Sequence, residues 1–124
     1  MAHERKTMSD DGFALYHWAP KSRRGQINRY GLRPGSLSSD RLWKPPYICL
    51  ADGPLFAWQL IGRYRPMIHE WDLWWTTSSA AAPMEMIPCD DGRPREYRVY
   101  HRIYKRDLWF VGTRFNEHHE EGQP

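Results

Sequence analysis

The stretch Phe13-Ala-Leu-Tyr-His-Trp18, followed by Pro20 and then by a segment running from Ser22 to Gly31-Leu-Arg-Pro34, sets the architecture. Phe13, Leu15 and His17 alternate with Ala14, Tyr16 and Trp18. Both faces therefore carry bulk, which predicts a central strand. Pro20 ends it. Ser22 is placed to cap a short helix from Arg23 to Tyr30, and Gly31 supplies the left-handed residue that closes a helix. Ile27, Tyr30 and Leu32 are its expected buried residues.

Working outward, Gly35 to Pro46 reads as a long Ser/Pro/Gly loop of functional length. Tyr47-Ile-Cys-Leu-Ala51 is a short strand. Asp52 then caps a helix from Pro54 to Arg63, with Phe56, Ala57, Leu60 and Ile61 packed on a sheet. In the strand from Met67 to Thr77, Trp71, Leu73 and Trp75 alternate with Glu70, Asp72 and Trp74, more as sheet packing than as a base-stacking platform. Asp72 is expected to bond a Trp indole or cap a turn. Ser78 to Pro94, with Ala80-Ala-Ala82 and Asp90-Asp-Gly92, reads as a loop or hairpin crossing. Glu96 to His101 is a strand with Tyr97, Val99 and His101 on one face and Glu96, Arg98 and Tyr100 on the other. A turn over Tyr104 to Asp107 leads into a last strand, Leu108 to Val111, ending at Gly112. Strands with two short helices near the front define an α+β domain.

The 124 residues fit a single domain, here 12–115, flanked by an N-terminus (1–11) and an acidic, His-rich tail (116–124), both expected to be disordered. Seven Trp and seven Tyr suit a packed domain with a ring-lined groove, because each ring must place a polar edge. No apolar run approaches the roughly 20 residues of a membrane span. No apolar stretch follows Met1 to Lys6, so no secretory signal is expected and a cytoplasmic setting is the default. Cys49 and Cys89 are read as a reduced pair, and no CxxC or HxxxH spacing points to a metal.

The net charge of +3 is modest but unevenly spread. Between Lys21 and Arg65 stand nine basic residues (Lys21, Arg23, Arg24, Arg29, Arg33, Arg41, Lys44, Arg63, Arg65) against Asp40 and Asp52, a local excess of seven. That excess favours a phosphate-bearing partner, either a dinucleotide or a nucleic-acid backbone, over a neutral one. A solvated basic surface is the plain alternative.

Three segments, in order, resemble the ADP-ribosyltransferase superfamily. They are Leu15-Tyr-His17 with the helix end Gly31-Leu-Arg-Pro34; Ile48-Cys-Leu-Ala-Asp52 running into a helix with Ala57; and Glu96-Tyr-Arg-Val99 followed by Ile103 and Leu108. The resemblance spans about residues 13 to 112 and rests on order and spacing. It implies a split β-sandwich of two small antiparallel or mixed sheets with NAD, the substrate, bound between them, and a small enzyme of the His–Tyr–Glu type. On that resemblance His17 holds the dinucleotide. Glu96 grips the ribose beside nicotinamide, where a carboxylate stabilises the oxocarbenium-like centre formed as the glycosidic bond breaks. The family's aromatic falls at Cys49 in this chain. Tyr47 lies on the same strand face, and Trp58 or Trp74 are the other rings that could stack on nicotinamide. The expected catalytic residues are thus Glu96, His17 and Tyr47. The expected dinucleotide contacts are His17, Cys49 and Tyr47, with Lys21 and Arg24 at the pyrophosphate.

Read without the resemblance, His17 is a hydrogen-bonded core histidine and Glu96 a strand-edge residue paired with Arg95 or Arg98. Three functions follow. The first is a mono-ADP-ribosyltransferase acting from NAD on a nucleic-acid or protein acceptor. The second is a module that binds NAD or ADP-ribose-type nucleotides without turnover. The third is a basic nucleic-acid-binding domain.

Overall fold

A computed structural model describes residues 12–35, 47–61, 67–88 and 94–115. The expected loop at 36–46, both termini and Cys89 lie outside them. The chain is α+β, with two small antiparallel sheets of three strands each and few helices.

The first strand, β1 (Ala14–Pro20), runs through a single 3-10 turn (Lys21–Arg23) into helix α1 (Arg24–Tyr30). Ser22 does not cap it: no side chain bonds the helix start. The C-terminus matches the expectation. Gly31 adopts φ 81°, and its N–H donates to the Ile27 carbonyl at 2.8 Å. A Cβ there would also collide with the Ile103 carbonyl oxygen, because Leu32 and Ile103 form a backbone bridge beside it. Glycine is thus required twice over. Ile27 and Leu32 are buried as expected, but Tyr30, the last residue of the helix, is 38% exposed, with the Arg29 and Arg33 guanidinium groups against its ring.

Next come β2 (Ile48–Leu50), α2 (Pro54–Ile61), β3 (Glu70–Thr77) and a one-turn helix α3 (Ser78–Ala81). The Thr77 hydroxyl caps α3 by accepting from the Ala80 N–H. Then β4 (Glu85–Pro88), β5 (Pro94–Val99), a 3-10 turn (Lys105–Asp107) and β6 (Trp109–Phe115) complete the chain. The span read as a loop or hairpin crossing holds the helix α3 and the strand β4, which pairs antiparallel with β5 as the hairpin alternative expects, and β6 runs past Gly112 to Phe115.

One sheet has the order β1-β3-β6 and the other β2-β5-β4. The central strand of the first sheet is therefore β3, and β1, read as central, sits at its edge. Bulk appears on both faces of β1 because each face packs on a core, Leu15 and Ala19 on one and Tyr16 and Trp18 on the other. At its outer edge Tyr16 and Ala51 exchange two backbone bonds, 2.7 and 3.1 Å, which among the described residues join the two sheets at a single pair. Both faces of β3 are covered, with Trp71, Asp72, Leu73, Trp74 and Thr76 all buried. Leu15, Ala19 and Trp74 face Ile48, Leu50, Tyr97 and Val99 of the second sheet, together with Ile27, Leu32, Ile103 and Leu108. On the opposite face, Trp18, Trp71 and Leu73 pack with Ala51 and the α2 residues Ala57, Trp58 and Leu60. Phe56, expected in this contact, is 37% exposed. Truncating either buried tryptophan of β3 to Ala would cost about 3–5 kcal/mol.

Candidate functional site

Because side chains alternate along a strand, burying Tyr97 and Val99 turns Glu96 and Arg98 to the opposite face of the second sheet. Register then sets their neighbours. Cys49 on β2 stands opposite Arg98, and Glu85 on β4 stands opposite it from the other side. His17 reaches the same place from the first sheet, where β1 and β2 meet at the Tyr16–Ala51 pair.

The resulting contacts are continuous. The His17 Nδ1–H donates to the Cys49 carbonyl at 2.8 Å. A carbonyl only accepts, so Nδ1 carries the hydrogen, and in the neutral ring Nε2 is the acceptor. The Cys49 thiol donates to Glu96 Oε2 at 2.6 Å. Arg98 Nη2 donates to Glu96 Oε1 at 3.3 Å, and its Nε lies 3.2 Å from Oε2 without hydrogen-bond alignment. The Arg98 guanidinium rests 4.5 Å from the centre of the Tyr47 ring, and Tyr47 meets Tyr100 edge-on at 5.7 Å. Tyr100 donates to Glu85 Oε1 at 2.6 Å.

The electrostatics follow from burial and this chain of partners. Burial, then the Glu96 carboxylate, pushes the Cys49 thiol far above its ordinary range, so it stays a protonated donor. Burial also raises the Tyr47 hydroxyl, with Cys49 and Glu96 adding to the effect and Arg98 opposing it. Arg98 is raised by its bond to Glu96. The carboxylate thus sits between a neutral thiol and a fixed cation. With about four lone-pair sites on its two oxygens, it retains capacity for a further hydroxyl donor.

The structure brings together His17, Cys49, Glu96 and Tyr47, drawn from both sheets, and adds Arg98, which was read only as a possible strand-edge partner of Glu96. The alternation that sets Glu96 opposite the Tyr97 face also marks Arg98 as its same-face neighbour. Lys21 and Arg24 are engaged elsewhere. Lys21 pairs with Glu70 at 3.5 Å. Arg24 donates to both Asp72 oxygens at 2.7 and 2.8 Å and to Thr113 Oγ1 at 3.0 Å. Asp72 therefore bonds neither an indole nor a turn. Of the alternative rings, Trp74 is 1% exposed in the core, and Trp58 packs between Trp18 and Trp71 under the Arg114 guanidinium. Tyr47 is the ring beside Glu96.

Among the described residues no group of three or more His, Cys, Asp or Glu is arranged to hold a metal ion, and no helix is long and apolar enough to cross a membrane. A scan against protein-family models and a search of curated proteins return no match to this chain.

Proposed function

We propose that the chain is a small mono-ADP-ribosyltransferase with an ADP-ribosyltransferase-like split β-sandwich, moving ADP-ribose from NAD to a nucleic-acid or protein acceptor. One observation carries this reading. An imidazole from one sheet and a carboxylate from the other both contact Cys49, beside the Tyr16–Ala51 pair that joins the sheets. Together with the sequence resemblance, that juxtaposition supports a cleft in which His17 holds the dinucleotide and Glu96 takes the hydroxyl of the nicotinamide ribose. The bond between nicotinamide nitrogen and ribose C1 breaks, and its electron pair leaves with nicotinamide. The cation at C1 is stabilised by the nearby carboxylate until the acceptor attacks and gives up its proton. Tyr47 is the ring that stacks on Arg98, the partner of the carboxylate.

The test is nicotinamide release from NAD in the presence of candidate acceptors. Glu96→Gln should abolish it while keeping the wild-type melting profile. Turnover by Glu96→Gln equal to wild type would remove Glu96 from the chemistry.

A second reading has its own observation. Glu96 is already met by Arg98 and by the Cys49 thiol, which stands where the family's ring is expected. A carboxylate so neutralised supports capture of NAD or ADP-ribose without cleavage. Calorimetric binding with no nicotinamide release under any acceptor would favour it.

A further inference from the structure

Four described cations of the basic segment divide into two groups. Lys21 and Arg24 are neutralised by acids on β3, whereas no described carboxylate pairs with Arg29 or Arg33. These two converge on Tyr30, with their guanidinium carbons 5.9 and 4.8 Å from the ring centre. After β5 the arrangement repeats: Arg102 and Arg106 lie 4.5 and 5.2 Å from the centre of the Tyr104 ring. The two groups form one surface. Arg102 Nε donates to the Tyr30 carbonyl at 2.8 Å, and the Leu32–Ile103 bridge locks the segments side by side. Segments 29–33 and 101–107 carry five Lys or Arg against one acid, Asp107, which approaches Arg106 only at 3.9 Å. Both rings are open to solvent, Tyr30 by 38% and Tyr104 by 47%.

Such a surface concentrates positive charge that the chain itself does not offset, and it places flat rings and planar guanidinium groups among the charges. Phosphates answer the charge, and unstacked bases answer the planes, because bases stack on both aromatic and guanidinium faces. A duplex keeps its bases stacked inside and would leave the rings unused. We infer that the Tyr30–Tyr104 face is a docking surface for single-stranded nucleic acid, with the arginines on phosphates and the tyrosines on bases. The inference does not rest on the transferase reading, since docking needs no NAD. If both hold, the docked strand is the acceptor.

The experiment is fluorescence anisotropy of the full chain with a labelled, mixed-sequence DNA strand of about 12 nucleotides, without NAD, across a salt series starting at about 50 mM. Binding should weaken steeply with salt. Arg33→Gln with Arg106→Gln should lower the logarithmic salt slope by roughly 1.4, about 0.7 for each lost phosphate contact on a single strand. Tyr104→Ala should weaken the strand about 10-fold while leaving competition by inorganic polyphosphate unchanged. The Arg106 side chain is 79% exposed, and circular dichroism melting verifies that each variant is folded. No binding at the lowest salt overturns the proposal, as does wild-type affinity in the double arginine variant. Equal affinity of Tyr104→Ala for the strand would also overturn it, by reducing the face to a simple polyanion exchanger.

Discussion

Each sheet holds one carboxylate–arginine pair, and the two differ in how fully the carboxylate is satisfied. On β3, Asp72 is wholly buried and accepts from Arg24 twice and from Thr113 Oγ1 at 2.7 Å, all with short, directional bonds. On β5, Glu96 is nearly as buried, but it accepts a thiol and a longer, partly misaligned guanidinium contact. Burial alone does not separate a structural acid from an available one. Saturation of the oxygens does. Three of the roughly four lone-pair sites of Asp72 are taken by short, strong donors, which leaves little capacity for a ligand, whereas Glu96 has two taken, one by a thiol, and keeps more.

The sharpest way to break this contrast is by stability. Asp72→Ala removes the acceptor of three hydrogen bonds from a fully buried position and should clearly lower the midpoint of denaturant unfolding, whereas Glu96→Gln, which keeps a hydrogen-bonding side chain, should cost about 1 kcal/mol or less. Equal losses would erase the distinction. Thiol chemistry gives the next largest effect. In a Cys89→Ser background, Cys49 should react with iodoacetamide at pH 8 at least about 100-fold more slowly in the folded than in the unfolded chain, because its thiolate is suppressed. Comparable rates would mean that Glu96 is not held against a protonated donor.

Acid titration sharpens the same contrast. Burial works to raise the Asp72 carboxyl, but the bonds from Arg24 and Thr113 outweigh it and hold the group below its ordinary value. Its contribution is therefore complete above the unfolded value of about 3.9 and is lost as pH falls through the lower folded value. Wild-type stability should drop below about pH 4, and Asp72→Asn, already weakened, should show a flatter profile there. An identical acid slope in the variant would reassign the acid sensitivity. The smallest effect is expected for Cys49→Ser, which keeps a donor toward Glu96 and should change stability by about 1 kcal/mol or less.

Much of this was legible beforehand, for identifiable reasons. The left-handed requirement at Gly31 and the alternation of Tyr97 and Val99 against Glu96 and Arg98 are local signals, and both hold. So does the α+β class. The meeting of His17, Cys49 and Glu96 was anticipated only through a family-like order of motifs, since no local rule joins residues on three strands. The missing pieces are equally specific. β4 was anticipated only as one arm of a possible hairpin and without bounds, because it is short and mostly exposed, shows no apolar alternation and ends in a proline. The partner of Arg24 lies 48 residues away and is set by the β1–β3 register, so proximity in sequence favoured a phosphate role instead. β1 looked central because both of its faces are buried, and burial of the faces does not tell a central strand from an edge strand.

The Tyr16–Ala51 pair ties the site to the packing between the sheets. His17 is one residue from it on one strand, and Cys49 is two residues from it on the other. Leu15, Ala19 and Trp74 share one core with Ile48, Leu50, Tyr97 and Val99, so the same packing that holds the sheets together also fixes the spacing between imidazole and carboxylate. A volume change in that shared core would therefore be felt at the site without touching any of its polar groups.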